Sequence, residues 1–397
     1  MEPDTIPHWA PPTHAMQIFR YAEQGSIKLL WISATNPAVS LPELARIRRI
    51  LARPELFVVV QDVFRTETTE LADVVLPAAT WGEKLGTFTS VDRTVHLSEK
   101  AVEPPGEARA DLDIFLDYAR RMDFRDRDGK PLIDWTGPEQ VFEAWKRCSA
   151  GRPCDYAGIS YDRLRERGGI QWPYGTERLY SDGAFNTDPD YCETFGQDLA
   201  TGAEFSEAEY RAKEPAGRAF LHAADYQPSP EVTSDEYPLL LTTGRTVYQF
   251  HTRTKTGRAP QLNAAAPDVW VELNAEDAAR LGIAEGDHVG VASPRGGIQA
   301  RARIGRIRPG AVFVPFHYGY FDVREARAAN ELTITAWDPV SKQPIFKAAA
   351  VRVAKLAAGD GSPAPAPTVG GSAPVDGTVR ATAGGPTAEA TSRVGED

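Results

Sequence analysis

Cysteine is scarce in this chain: Cys148, Cys154 and Cys192 are all that 397 residues contain. Three cannot make a paired disulfide framework, and the spacing of the first two fits no common zinc motif. They read as structural or incidental thiols of a reducing compartment, so the cytoplasm is the expected location. No apolar run approaches the ~18–20 residues of a membrane span, and the opening MEPDTIPHWAPPTH lacks the basic and apolar segments of a secretory signal. No membrane partner is expected. Positive charge is also short, with 44 Lys and Arg against 55 Asp and Glu and a formal net charge of −11. That balance argues against nucleic acid as a partner, because phosphate neutralisation needs a dominant basic surface.

The most informative absence is local. Between Pro238 and Pro267 there is no Asp or Glu, while Arg245, Arg253, Lys255 and Arg258 stand among six threonines and two glycines. The apolar Leu239–Leu241 feeds into Thr242-Thr243-Gly244-Arg245, where the chain must turn and Gly244 lets the backbone approach a ligand. Threonine hydroxyls and loop N–H groups donate to phosphate oxygens, and an arginine grips them in a planar fork. The run therefore reads as an anion site, with a solvated basic loop as the plain alternative.

Ahead of it, apolar strands alternate with helical segments. Thr13–Tyr21 reads as a helix closing near Gly25, Ile27–Ile32 as a strand, and Leu41–Leu51 as a helix with Pro42 in its first turn. Leu56–Val60 is a second strand, Thr66–Ala72 a short helix and Val74–Leu76 a third strand stopped by Pro77. This rhythm means a parallel sheet with helices on its faces, and ligands of such sheets sit outside the carboxyl ends of the strands. Asn36 and Asp62 occupy such exits. An aspartate there can accept from the edge of a guanine, although both residues are also ordinary turn formers. A hairpin-like stretch over 81–97 and a helix over Asp111–Met122 follow. Residues 126–236 look irregular, with one helix at Pro138–Arg147. From Tyr237 short β segments dominate (239–243, 269–273, 288–292, 299–304, 311–315 and 348–353), with one helix capped by Asn274 and closed at Gly282. They predict a compact β barrel. Beyond Leu356 the Ala/Gly/Pro/Ser/Thr tail cannot bury enough surface to fold.

Seven stretches in order (ATNPAVS at 34–40, VVVQDVFRTETTELADVVLPAATWGEKLGTFTSVDRTV at 58–95, PPGEARADLDIF at 104–115, TTGR…FHTRT at 242–254, DAARLGIAEGDHVGVASPRG at 277–296, VFVPFHYG at 312–319 and ANELTITAWDPVSKQPIFKAAAVRV at 329–353) resemble the molybdenum oxidoreductases that carry bis-molybdopterin guanine dinucleotide, the dimethyl sulfoxide reductase family. The resemblance covers most of 13–356 and is to the C-terminal part of such enzymes. It implies an α/β fold: a partial Rossmann-like parallel sheet (1–125), an irregular connection (126–236), a double-psi β-barrel (237–356) and a disordered tail (357–397). Carried over residue by residue, the family's cofactor contacts fall on Asn36, Gln61, Asp62, Lys84 and Asp111, then on Thr243, Gly244, Arg245, His251, Thr252, Phe316, Asn330 and Lys347. Ser90 and Asp92 depart from the Asn and Glu of many relatives, and nothing is assigned to them.

The resemblance also implies the molybdopterin guanine dinucleotide cofactor (Mo-bis-MGD) and, in the intact enzyme, a [4Fe–4S] cluster for which three isolated cysteines supply no ligand set. No catalytic or metal-ligating residue is assigned. The chain alone is expected to be catalytically incomplete, needing an N-terminal half or partner polypeptide with the cluster and the metal ligand, and an electron donor protein. The FHT loop and PFH segment are most similar to assimilatory nitrate reductases, which reduce nitrate to nitrite. GIQWPYGTERLYSDGAFNT at 169–187 fits those and formate dehydrogenases alike. A formate dehydrogenase-type enzyme, or a non-catalytic cofactor-binding subunit, are the alternatives.

Overall fold

The computed structural model describes residues 14–152, 154–173, 183, 226–323, 327–338 and 341–357. The tail beyond 357, most of the 174–225 stretch and Cys192 lie outside them.

Three parallel strands, Leu29–Ser33 (β1), Phe57–Asp62 (β2) and Val74–Pro77 (β3), form a sheet in the order β1-β2-β3. Helices Ala15–Glu23 (α1) and Leu44–Leu51 (α3) bury Phe19, Ala22, Ile47, Ile50 and Leu51 against Ile32, Val58 and Val60 on one face. Asp111–Met122 (α4) lies against Trp31, reached by Phe115 and Tyr118. Two local expectations need correction. Pro42 lies before α3, not in its first turn. A separate turn, Pro37–Ser40 (α2), takes the preceding residues, and Glu43 enters α3 in the left-handed region at φ 53°. The Thr66–Ala72 helix shrinks to a 3₁₀ turn over Thr69–Leu71, because the Thr66 and Thr69 side chains bond to each other's backbone and compete with a helix.

Gly86–Thr89 (β4) and Thr94–Ser98 (β5) form the expected antiparallel hairpin, joined by Ile170–Gln171 (β6). The described part of the following region holds two helices where one was expected. Pro138–Ser149 (α5) is joined by Tyr161–Arg167 (α6), whose cap Ser160 accepts from the Arg163 N–H and whose end is Gly168 at φ 74°. Phe142, Tyr156, Ile159, Tyr161 and Leu164 pack with Val95 and Ile170, so these helices build a core with the hairpin.

Six strands close a barrel in the order β10-β8-β11-β7-β12-β9. They are Leu239–Gly244 (β7), Trp270–Asn274 (β8), His288–Ser293 (β9), Gly296–Gly305 (β10), Ala311–Pro315 (β11) and Ala349–Lys355 (β12). The parallel pairs β7/β11 and β8/β10 are separated by the antiparallel β8/β11 pair, and the remaining pairs β7/β12, β12/β9 and β9/β10 are antiparallel. Alternation decides what faces in: Leu239, Leu241 and Thr243 are buried while Leu240, Thr242 and Gly244 are not. Among the described residues two helices interrupt the strands rather than one, Pro260–Ala265 (α7) and Ala275–Leu281 (α8), the latter capped by Asn274 and closed by Gly282 as expected.

Sheet and barrel meet along a polar seam. Arg48 of α3 forms a two-pronged pair with Glu331 at 2.7 and 3.0 Å. Asn330 donates to the Val39 carbonyl at 2.9 Å, and Glu67 accepts from the N–H groups of Tyr320 and Phe321. The approach is close enough that a Cβ on Gly319 would stand 2.0 Å from Glu67 Oε1, which accounts for glycine there.

Candidate functional site

The barrel mouth gathers Thr243, Gly244, Arg245, His251, Phe316 and Lys347 from three separate segments. The N–H of Phe316 bonds the Gly244 carbonyl, and Lys347 Nζ donates to the Thr243 carbonyl. Thr243 Oγ1 donates to the Phe346 carbonyl at 2.9 Å. Arg245 is exposed and lies 5.3 Å over the Phe316 ring, whose edge also meets His251. Gly244 is needed for contact: a Cβ there would come within 2.8 Å of Phe313.

At the centre stands a residue that sequence reasoning passed over, His317, although the PFH segment was noted. It is fully buried. Its Nε2 accepts the Thr246 N–H at 2.7 Å, so Nδ1 must carry the proton that it donates to the His251 carbonyl at 2.7 Å. This fixes one neutral tautomer and ties the loop after β7 to the end of β11. The loop is held under strain, with His251 at φ 43° and Arg253 at φ 65°, both left-handed without being glycine.

Electrostatics in the mouth are one-signed. Burial, then Arg245, holds Lys347 and His251 below their ordinary pKa values. His317 is lowered by burial first and then by Arg245, His251 and Arg253, outweighing its bond to the His251 carbonyl. No carboxylate is among the groups acting on these three. A lowered histidine pKa means the unfolded chain binds a proton more readily. The stability tied to His317 is therefore full above about pH 6.5 and falls as pH drops through and below it. Denaturation midpoints between about pH 7.5 and 5.5 should decline, and the slope should flatten in His317→Gln; a wild-type midpoint flat over that range would contradict the buried neutral tautomer.

The four cations of the acid-free run separate into two kinds. Arg253 is not free, as the run suggested: it is fully buried and paired with Asp322, because acid supplied by a distant segment was invisible in the local sequence. Arg258 donates to the Thr254 and Arg65 carbonyls and lies over Phe64 and Phe321. Arg245 and Lys255 have no ion-pair partner among the described residues.

At the sheet, Gln61, Lys84 and Asp111 form one chain of bonds. Gln61 accepts from Trp31 Nε1 at 3.2 Å and donates to Asp111 Oδ1 at 2.7 Å, and Lys84 pairs with the other carboxylate oxygen. Lys84 and Asp111 also line a cleft of about 400 Å³ walled by Phe142, Trp145, Tyr156 and Tyr161. Asp62 accepts from the N–H groups of Val63 and Phe64; burial raises its pKa above the usual range despite these bonds and the nearby charges of Lys255 and Arg258. Asn36, Thr252 and Asn330 are buried in the seam. Asn36 Nδ2 donates to Glu67 at 2.8 Å and to Thr252 Oγ1 at 3.3 Å, which brings a β1 exit to the barrel loop. The polar side-chain atoms of Asn36 and Asn330 are already used within the protein.

The residues present suit an anionic dinucleotide. Arg245 and Lys347 face a mouth in which no acid pairs with them among the described residues, and Thr246 Oγ1 is buried there with no partner of its own.

Comparison with known proteins agrees. Residues 239–350 match a "Molydopterin dinucleotide binding domain" and residues 9–121 match "Molybdopterin oxidoreductase". The chain is 40% identical over 346 residues to a nitrate reductase of Symbiobacterium thermophilum, covering 86% of this chain and 43% of that one. It is 37% identical to the F420-dependent formate dehydrogenase subunit alpha of Methanocaldococcus jannaschii (83% and 44% covered) and 33% identical to the assimilatory nitrate reductase catalytic subunit of Bacillus subtilis (85% and 44%). It thus spans less than half the length of these curated relatives. Among solved structures, acetylene hydratase from Pelobacter acetylenicus shares the fold at a TM-score of 0.62 and 17% identity, over 85% of this chain and 46% of that one. With a parallel sheet and a closed barrel each matching its own part of one enzyme type, this chain belongs to the molybdopterin oxidoreductases.

Proposed function

We propose that this chain is the cofactor-holding portion of a cytoplasmic nitrate reductase, binding the guanine dinucleotide arms of a molybdopterin cofactor between its barrel mouth and its strand tips. The observation that carries this reading is the barrel-mouth cluster of Arg245, His251, His317 and Lys347, which has no opposing acid among the described residues. Arg245 and Lys347 meet phosphate oxygens, Thr246 donates its free hydroxyl, and His317 holds the loop so that these groups converge. Asp62 accepts from the guanine edge beside Lys255, while Lys84 and Asp111 stand at the strand tips. When bound, the cofactor supplies the metal redox chemistry; the protein binds and orients it and adjusts it through hydrogen bonds.

Nitrate is favoured over formate as the substrate of the assembled enzyme by the FHT and PFH segments and by the 40% identical relative. Reduction to nitrite takes up two electrons and two protons and releases water. Among the described residues no group of three or more His, Cys, Asp or Glu could hold a metal, and no helix is long and apolar enough to cross a membrane. An iron–sulfur cluster and the metal's protein ligand would come from a further polypeptide segment, fed by an electron donor protein.

Arg245→Ala should lower cofactor retention by at least about 1.5 kcal/mol, roughly tenfold or more, in the range of a charge-assisted hydrogen bond. Pterin and guanine nucleotide per chain after purification from a cofactor-producing host provide the measurement. Content equal to wild type would remove Arg245 from the site. Nitrate turnover by the isolated chain would refute its incompleteness.

A further inference from the structure

Both ring nitrogens of His317 hold the same loop, one at each end. Nε2 accepts from the Thr246 N–H, just after β7, and Nδ1–H donates to the His251 carbonyl, each at 2.7 Å. The ring is fully buried between Phe316 and Tyr318 in sequence and packs near both. A second ring proton affects the two bonds differently. Nδ1–H stays a donor and keeps the His251 carbonyl. Nε2 turns from acceptor into donor, so that its new N–H faces the Thr246 N–H at hydrogen-bond distance. Two donors cannot share that contact, and a buried pair has no solvent to relieve it.

The surroundings give the second proton little support. Burial opposes it first, and Arg245, His251 and Arg253 of the same loop oppose it further; the bond to the His251 carbonyl favours it without offsetting them. From the segment before β12, Lys347 adds another cation, bonded to the Thr243 carbonyl. Asp322 is taken up by Arg253 and Arg327, and Asp268 by Arg327, and neither carboxylate is among the groups acting on the ring.

We propose that this arrangement is a pH-sensitive clip on the dinucleotide site: neutral His317 holds Thr246 and Arg245 in place, and a second proton on its ring frees them while His251 stays attached. The step takes one proton from water onto Nε2, breaks the bond from Thr246 and is reversed by base. Thr246 carries the hydroxyl that is buried without a partner, and Arg245 directly precedes it, so the released part is the one assigned above to phosphate. The clip rests on that reading of the mouth and adds its regulation. Acid also charges His251, which is exposed on the same loop, and that charge favours an anion, as does the charge on His317 itself. Loss of the clip outweighs the ring's own charge. Short charge-assisted bonds from Arg245 and Thr246 contribute more than one cation at longer range whose nitrogens both point at protein.

The first test reads amide hydrogen exchange at Thr246 in the cofactor-free full chain, corrected for the intrinsic effect of pH on exchange. Protection should fall at least about tenfold between about pH 7.5 and 5.5, because the protonated fraction on the alkaline side of a pKa grows about tenfold per pH unit. The Phe316 amide, bonded to the Gly244 carbonyl in the same mouth, should stay protected. The second test loads the chain in a cofactor-producing host and measures the pterin and guanine nucleotide retained after dialysis over the same range. Each variant is scaled to its own content at the upper pH. Wild type should lose at least about threefold more in acid than His317→Gln, whose amide offers an acceptor and a donor but does not titrate, while the His251 response is common to both. Thr246 protection that is independent of pH, or lost together with that of Phe316, overturns the clip even where the variant fails to fold. So does wild-type retention that follows the same pH course as His317→Gln. Absence of dinucleotide from the wild-type chain at the upper pH would instead refute the reading of the mouth, and the Thr246 exchange would still decide the clip.

Discussion

Replacing Arg48 with alanine is expected to cost about 3–5 kcal/mol of folding stability, the range for breaking a buried ion pair from one side. The size follows from what remains. Glu331 is 6% exposed, and without the two bonds at 2.7 and 3.0 Å its carboxylate keeps only the Tyr320 hydroxyl. Tyr320 itself is half-buried, and burial followed by the Glu331 charge pushes its pKa up, so it stays a neutral hydroxyl and supplies no positive charge. Because Arg48 lies on α3 and Glu331 in the barrel, the loss falls on the seam. Arg48→Met combined with Glu331→Leu should cost far less than the sum of the single changes, since an apolar pair leaves no buried charge. Urea denaturation of the single and double variants measures this. A loss under about 1 kcal/mol for Arg48→Ala would mean that solvent reaches Glu331.

Arg253→Ala should produce the second large loss, again about 3–5 kcal/mol. Its guanidinium is fully buried, lies 5.1 Å from the Tyr318 ring and 5.0 Å from the Phe321 ring, and bonds to Asn263 at 3.1 Å and to Asp322. Removal empties a slot between two aromatic rings and leaves Asp322 to Arg327 alone. Arg253→Lys should recover less than about half, because a compact ammonium does not reproduce the planar fork. The same side chain anchors the loop in which His251 and Arg253 adopt left-handed backbone, so the alanine variant should also lose dinucleotide. A variant with wild-type stability and wild-type cofactor content would refute both roles.

Local pattern was enough for the elements. Apolar runs bounded by Gly and Pro located β1, β2, β3 and all six barrel strands to within a few residues, and α4 was placed at its observed ends. The errors arose where side chains compete with the backbone. Threonines bonding to their own turn shortened the 69–71 segment, and Ser160 with Gly168 bounds α6, a helix whose cap and stop signals stood in the sequence but were outvoted by the polar surroundings.

The candidate site divides in the same way. An acid-free run is a property of the chain itself, so a basic mouth around Gly244 and Arg245 could be read directly. Which of its cations stay free could not, because Asp322 neutralises Arg253 from 69 residues away. Nor could the role of His317, whose tautomer is set by one loop N–H and one distant carbonyl.

The amino-acid sequence by itself determined the element order, the alternating sheet-then-barrel plan and the family, since these depend on periodicity and motif order along the chain. Only the tertiary structure decided which charges are spent and which remain. Pairing energies depend on distances between residues that are far apart in sequence, such as Asn36 with Thr252 and Arg48 with Glu331, and only folding brings those residues within reach.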